Sequence, residues 1–364
     1  MIDISVCMIT YNEANTISRA IESISPFVKE VIVVDHYSED DTAFIAGELG
    51  AKVYQRRWSD HFADARNFSI GMAKANSILI MDADEEYIGD GASLNEAYQL
   101  MKDQTGVALR AKVKNLALNN QVTRSCITRM FPKNSGYQFV GRIHEQLLFN
   151  GEEPKIFDST IELNHYGYTK ETIVKKGKYQ RNVNLLLLSL DEKPFDPYIL
   201  FQLGRTYRLM EDYEESRRLL EKSLQFIPYP YPSYHSTLML DYSTTLMKSK
   251  RWNELFGILN TAIENYPDYT DLYYMYGSAI IESQNLEWFS QIPDVFSACI
   301  QLGEVQHGKY ETVQGVGSYR SAFNLGLYHE LIGNKDEALK YYRFCIEQNF
   351  EDALVRIESL TNMK

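Results

Sequence analysis

Ile4-Ser5-Val6-Cys7-Met8-Ile9-Thr10-Tyr11-Asn12-Glu13 begins as a short continuous apolar run and turns abruptly polar. Such a run predicts a strand buried on both faces. The pattern recurs. Val31-Ile32-Val33-Val34 leads into Asp35-His36-Tyr37-Ser38, and Ser77–Met81 leads into Asp82-Ala83-Asp84-Glu85-Glu86. Between these runs lie segments of helical spacing: Glu13–Ser23, which Asn12 can cap and Pro26 ends, Asp41–Leu49 stopped by Gly50, and Ala63–Ala75. Lys52-Val53-Tyr54 reads as a further short strand. Alternating strands and helices predict an α/β domain with a parallel sheet. Ligands of such sheets bind beyond the carboxyl ends of the strands, where the polar and acidic residues stand here.

From Val107 to about Ile161 the reading changes to short strands and turns. Val107–Val113, Cys126–Phe131 and Leu147–Phe149 are the candidates, with turns at Asn119-Asn120 and Asn150-Gly151. These complete a mixed sheet. From Lys170 onward the chain reads as helical. Gly204, Tyr207, Ser216, Leu220, Ser223 and Pro228 share their spacing with Ser243, Leu246, Leu255, Leu259, Ala262 and Pro267. Gly326, His329, Ala338, Tyr342 and Cys345 repeat the first five positions, and Gly277 opens an irregular copy. Small residues where helices cross and a terminal Pro resemble the tetratricopeptide repeat. The expected division is therefore residues 1–170 and 171–364. The tyrosines clustered between Tyr229 and Tyr276 either pack between helix pairs or line a concave surface that grips a peptide.

With 364 residues the chain is long enough for two cores, and 45% hydrophobic content marks it as globular. A net charge of −12 argues against nucleic acid as a partner. The four cysteines, scattered and never spaced as Cys-x-x-Cys, suit a reducing compartment. No signal peptide precedes the first strand, and no apolar run is long enough to span a bilayer, so the expected location is the cytoplasm. Neither Gly-x-Gly-x-x-Gly after the first strand, nor a P-loop, nor Gly-x-Ser-x-Gly occurs. Dinucleotide redox chemistry and P-loop phosphoryl transfer are thereby disfavoured.

Asp82 and Asp84, alternate residues at a strand end, can bring two hard oxygen donors to one crevice, as Mg²⁺ or Mn²⁺ requires. Taken alone, Asp-x-Asp reads rather as an acidic turn, reinforced by Glu85 and Glu86. Asp35 occupies the corresponding end of the second strand, while Asp40, Asp41 and Thr42 read as helix caps. Arg66 offers a fixed fork of donors to a base carbonyl or a phosphate, or forms a surface ion pair.

Together, Val6–Glu13, Ile32–Asp35, Ala65-Arg66-Asn67 and Met81–Glu85 resemble the family 2 glycosyltransferases in order and spacing. Gly141-Arg142-Ile143-His144-Glu145-Gln146 and His165-Tyr166-Gly167-Tyr168 resemble the branch of that family carrying tetratricopeptide-like repeats, which includes the enzymes that modify bacteriocin peptides. The resemblance implies a nucleotide-diphospho-sugar transferase fold, Rossmann-like with a mixed sheet, followed by an all-α repeat domain. It implies that Thr10, Tyr11, Glu13, Asp35 and Arg66 hold the nucleoside, that Asp82 approaches the ribose and sugar, and that Asp84 binds the metal. The family's Asp-x-Gly-Ser carries Tyr37 at the glycine position. A glycine-only backbone angle is not expected there, so the loop from His36 to Asp40 should be reshaped.

Inverting transfer, also implied, needs a general base opposite the leaving group. Glu145 is the candidate, with His144 beside it; the alternative for Glu145 is an ion pair with Arg142. His165 reads either as part of the site or as a buried, hydrogen-bonded histidine at the junction. Lys175, Lys176, Lys178 and Arg181 form a basic run that is either a solvated face or a diphosphate contact. The expected activity is transfer from a UDP-sugar, with Mn²⁺ or Mg²⁺, to a Ser, Thr or Cys side chain of a peptide held with help from the repeats. The alternatives are an envelope or capsular saccharide acceptor and a non-catalytic repeat scaffold with a relic transferase domain. The repeats could also make a homodimer.

Overall fold

The structure, a computed structural model, describes residues 1–116, 122–134, 136–166, 177–306 and 308–362. The chain forms two compact units, Met1–Pro194 and Phe195–Lys364. The boundary expected after residue 170 falls within 167–176, outside the described residues, as do Gly167, Tyr168, Lys175, Lys176 and the Asn119-Asn120 turn.

In the first unit β1 (Ile2–Thr10) pairs in parallel with β2 (Val28–Asp35) and with β4 (Ser77–Ile80). Side chains such as Ile4, Val6, Met8, Ile32 and Val33 are fully buried, because helices α1 (Ile17–Ile24), α2 (Thr42–Glu48), α3 (Phe62–Met72) and α4 (Ala92–Met101) cover the sheet. The apolar character of both faces is what the uninterrupted runs encode. Adding β3 (Lys52–Gln55), β5 (Glu85–Tyr87), β6 (Val107–Leu116), β7 (Val122–Pro132) and β10 (Lys155–His165), the strands lie in the order β3-β2-β1-β4-β7-β6-β10-β5. β4–β7, β6–β7 and β10–β5 are antiparallel and β10–β6 is parallel, so the sheet is mixed.

A separate hairpin, β8 (Tyr137–Val140) and β9 (Gln146–Phe149), is tied to α3. Asn67 exchanges two 2.9 Å bonds with the Phe139 backbone, and the Phe62 N–H donates to the Arg142 carbonyl at 2.7 Å. These ties hold the turn at residues 141–145 against the helix that carries Arg66. Helix α5 (Lys178–Glu192) closes the unit.

Asn12 does not cap α1. The helix starts at Ile17 with Thr16 as its N-cap, while the Asn12 side chain accepts a bond from the Glu39 N–H at 2.8 Å. Asn12 has a left-handed backbone (φ 55°), which asparagine tolerates well, and serves a loop instead.

The second unit is a stack of helix pairs whose small residues sit where the helices cross. A Cβ on Gly204 would fall 2.7 Å from Leu220, and one on Gly326 would fall 2.5 Å from Tyr342. Both contacts join the first and fourth positions of the sequence repeat. In the irregular copy a Cβ on Gly277 would instead meet Phe296 at 2.6 Å, three residues beyond the regular position, after the short 3-10 turn Phe289–Gln291. Among the described residues no helix is long and apolar enough to cross a membrane.

Candidate active site

β1, β2 and β4 deliver their carboxyl ends to one cleft of about 570 Å³ within the first unit. Thr10, Tyr11 and Glu13 line it from the end of β1, His36 from the end of β2, and Asp82, Ala83 and Asp84 from the connection between β4 and β5. Trp58, Phe62 and Arg66 contribute from α3 and the loop before it, His165 from the end of β10, and Lys178 and Arg181 from α5.

Asp82 and Asp84 have separate ion-pair partners. Asp82 accepts from Arg66 Nη2 and Arg129 Nη2, each at 3.0 Å. Arg66 also donates through Nε to Glu145, and Arg129 through Nη2 to Glu85 at 2.5 Å. Five side chains of alternating charge therefore run Glu145–Arg66–Asp82–Arg129–Glu85, and both arginines are buried. Burial opposes the charge on Asp82, but the two guanidiniums outweigh it and hold the carboxyl well below the usual range. Burial likewise opposes the charge on Arg66, but Glu145 and Asp82 outweigh it and raise its pKa. Glu85, fully enclosed, is pushed up by burial and by Asp82 despite Arg129.

Asp84 faces His165. Its Oδ1 lies 3.3 Å from Nε2, and Lys178 Nζ lies 3.7 Å from Oδ2. The other ring nitrogen, Nδ1, bonds Asn115 Oδ1 at 2.8 Å, which fixes the ring plane. Burial lowers the histidine's pKa, but the hydrogen bond and charge of Asp84 outweigh it and leave it raised. Burial works against Asp84 too, and His165 with Lys178 brings its carboxyl below the usual value.

The sequence expectations divide at this cleft. Thr10, Tyr11, Glu13, Arg66, Asp82 and Asp84 all line it. Asp35 is not among the lining residues. It is fully buried, accepts from Thr10 Oγ1 at 3.3 Å and the Ser38 N–H at 3.0 Å, and is bonded by the Ser38 hydroxyl as well. Glu145 is paired with Arg66 and not with Arg142, which bonds Glu192 at 2.6 Å. Neither Glu145 nor His144, both on the hairpin turn, lines the cleft; Glu145 reaches it through Arg66, and His144 has a left-handed backbone (φ 51°).

Tyr37 does adopt the left-handed angle (φ 56°) that was not expected of it. The Asp35–Ser38 bonds and the 2.9 Å bond from the Asn12 N–H to Ser38 Oγ impose the loop's shape against the preference of a side chain. His165 lines the cleft, with Asp84 at one ring nitrogen and Asn115 at the other.

His36, Trp58, Phe62 and Arg129 went unrecognised as site residues in the sequence. Trp58 packs edge-on against His36 (centroids 5.1 Å apart) and against Phe62 (4.8 Å), forming an aromatic wall. Arg181 lies 5.2 Å over the Phe62 ring, and burial holds its pKa below the usual value.

Among the described residues no three His, Cys, Asp or Glu side chains form a group that would hold a metal ion. Asp84 and His165 supply one carboxylate and one imidazole nitrogen, in contact and oriented from behind by Asn115. This pair would supply two donors to a Mg²⁺ or Mn²⁺ ion whose shell waters and substrate phosphates completed, with Lys178 Nζ, 3.7 Å from Asp84 Oδ2, displaced. Their mutual contact would have to open to admit it, with release of a proton.

Residues 5–150 match Glycosyl transferase family 2, and residues 197–229 and 319–352 match the tetratricopeptide repeat. A TPR repeat-containing protein of Synechococcus elongatus is 30% identical over 278 residues, covering 73% of this chain and 65% of that protein. The SPbeta prophage-derived glycosyltransferase SunS of Bacillus subtilis is 26% identical over 287 residues, covering 76% of this chain and 67% of that one. An uncharacterized glycosyltransferase of Rickettsia bellii is 32% identical over 191 residues, covering 48% and 64%. The chain thus spans about two thirds of the length of these relatives. Among solved structures, YrrB, described as a TPR protein with an unusual peptide-binding site, aligns with a TM-score of 0.39 and 16% identity over 52% of this chain and 88% of that one.

Proposed function

This chain carries a glycosyltransferase domain of family 2 joined to tetratricopeptide repeats, and from it we propose an inverting, metal-dependent enzyme that moves a sugar from a UDP-sugar to a nucleophilic acceptor. One observation carries the reading. Asp82 and Asp84 face the same cleft as Thr10, Tyr11, Glu13 and Arg66, with cationic Lys178 and Arg181 on its border.

In this reading the nucleoside lies between Tyr11 and the wall of His36 and Trp58. Arg66, held from two sides by Glu145 and Asp82, still has a buried Nη1 with no partner among the described residues and donates it to a donor oxygen. Lys178 and Arg181 contact the diphosphate. Asp84 and His165 would hold a divalent cation, which when bound offsets the charge of the leaving diphosphate. Asp82, kept ionised by its two arginines, fixes the sugar. Glu145 is the proposed general base, aimed by Arg66 from the hairpin turn, with His144 orienting it.

The proposed acceptor is a Ser, Thr or Cys side chain of a peptide such as a bacteriocin precursor, held with help from the repeats. A thiol would need the least help from a base, because its ordinary pKa is about 8.5. The four cysteines of this chain are all unbridged, in keeping with reaction in the cytoplasm.

Incubating the protein with Mn²⁺ and a panel of UDP-sugars tests the proposal. Slow release of UDP from one of them, abolished by a chelator, is expected. Stoichiometric partner binding without any nucleotide affinity would favour a scaffold instead.

A further inference from the structure

In the second unit the helices Pro197–Leu209, His235–Lys248 and Thr270–Ser283 each open a helix pair. The first helices of stacked pairs line the inner, concave face of a repeat array. Here that face is charged and built in advance. Asp241 of the middle helix is buried and holds Arg205 at 3.3 Å and Arg208 at 3.0 Å, both from the first helix. Asp271 of the third helix is buried as well, and so is Tyr269 just before it.

The chain lays part of itself across this face. Glu311 accepts from Arg205 Nη2 through both carboxylate oxygens, at 2.6 and 2.9 Å, and its carbonyl accepts from the Tyr269 hydroxyl. The Thr312 hydroxyl donates to Asp271 Oδ2 at 2.5 Å, and the Val313 N–H donates to Asp271 Oδ1 at 2.8 Å. Tyr310 stacks on Tyr269 with ring centroids 4.3 Å apart, and its hydroxyl donates to Asp268 at 2.9 Å. A ring, an acid, a hydroxyl and two main-chain groups are thus each met by a separate partner, as in the reading of an extended peptide.

Two features make this strap exchangeable. The neck of its loop is closed independently of the tip. A Cβ on Gly317 would fall 2.1 Å from the Gly303 carbonyl, which accepts from the Thr270 hydroxyl at 2.8 Å. Glu304 accepts from the Gly315 N–H at 3.1 Å and from the Ser318 hydroxyl at 2.7 Å. The tip can therefore lift without unravelling the flanking helices. The strap also keeps an open side, with the Glu311 side chain 31% exposed and that of Arg205 27%. Its bonds are polar, and a peptide of the same pattern supplies every one of them, so exchange costs little in contacts.

We propose that the inner face of the repeats binds an extended peptide carrying an aromatic residue, a glutamate and a Thr or Ser in succession, and that Tyr310-Glu311-Thr312-Val313 occupies this face in cis until such a peptide displaces it. This goes beyond sugar transfer and does not depend on it. A tethered strap competes at high effective concentration, so the intact chain admits a free peptide only weakly.

A labelled peptide with the sequence of residues 308–314, titrated by fluorescence anisotropy into the full-length protein without nucleotide, tests it. Glu311→Ala/Thr312→Ala loosens the strap and leaves the side chains of the face in place. This variant is expected to bind the peptide at least about tenfold more tightly than wild type. The same peptide with alanine at the positions of Glu311 and Thr312 is expected to bind neither protein. Equal binding by wild type and variant, no binding by a variant with wild-type circular dichroism, or equal binding of the two peptides would overturn the proposal. Hydrogen exchange of the wild-type protein decides the matter if the variant unfolds. The Val313 amide, although bonded to buried Asp271, is expected to exchange at least about a hundredfold faster than amides in the middle of the helix Pro197–Leu209. Equal protection would make the strap a fixed part of the fold and overturn the proposal. None of these outcomes bears on UDP binding at the cleft.

Discussion

His165 Nε2 lies 3.3 Å from Asp84 Oδ1, although the two residues come from the end of one strand and the start of another, 81 positions apart in the chain. β5 and β10 pair antiparallel with Glu85 opposite His165, and this register places the imidazole beside the acid that precedes β5. The contact joins a hard oxygen donor to an oriented nitrogen at the cleft.

Asp84→Asn keeps the size of the side chain and removes its charge. It is expected to lower Mn²⁺-dependent release of UDP at least about a hundredfold, as loss of a positioned electrostatic group does. Its thermal midpoint should stay within a few degrees of wild type, because Asp82 and the arginine network are untouched. An unchanged rate would take Asp84 out of the site.

Glu145→Gln is expected to bind UDP with wild-type affinity and to lose transfer to an acceptor. Titration for binding and a discontinuous transfer assay separate the two readouts. Normal transfer by this variant would require a base elsewhere in the cleft.

Arg66 links Glu145 to Asp82. Arg66→Met leaves the Glu145 carboxylate without this buried partner, and chemical denaturation should show a loss of about 3 kcal/mol in the first unit. A loss below about 1 kcal/mol would mean that the pair has little net value, as exposed pairs do.

Away from the cleft, Glu30 of β2 is buried and accepts from Ser5 Oγ and the Lys74 N–H at 2.5 Å each and pairs with Lys52. Burial opposes its charge, but Lys52, Ser5 and the Lys74 N–H outweigh it and bring the carboxyl from 4.5 down to about 2. A depressed folded pKa means that the unfolded chain takes up the proton first as pH falls. The stabilisation is thus present above about 4.5 and is lost on descending toward 2. Glu30→Gln is expected to be less stable than wild type at pH 7, and the gap should close between pH 4.5 and 2. A gap independent of pH across that window would contradict it.

The fold was readable where one physical cause dominates. β1, β2 and β4 are apolar on both faces, and their ends turn acidic or polar, so both strands and crevice stand out in the chain. Asp82, Asp84 and Arg66 were legible because a strand end or a helix start fixes their place. Arg129 was not. It is one cation in the half-exposed strand β7, and only the antiparallel pairing with β4, Met130 opposite Leu79, brings it to Asp82.

Pairings across long chain separations were equally hidden. Sequence proximity pointed Glu145 to Arg142, whereas the hairpin's ties to α3 delivered it to Arg66. β5, Glu85-Glu86-Tyr87, reads as an acidic turn because its burial depends on Arg129 and on β10, neither of them near it in sequence. Tyr37 shows a network of loop hydrogen bonds overriding the local backbone preference on which the expectation for that position relied.

Titration of UDP into the full-length protein by calorimetry, with Mn²⁺ and again with a chelator, addresses the central claim most directly. One molecule of UDP should bind per chain with Mn²⁺, and at least about tenfold more weakly once the cation is removed or Asp84 is changed to Asn. A flat trace under every condition, with the protein folded, would contradict the assignment of this cleft to a nucleotide-sugar.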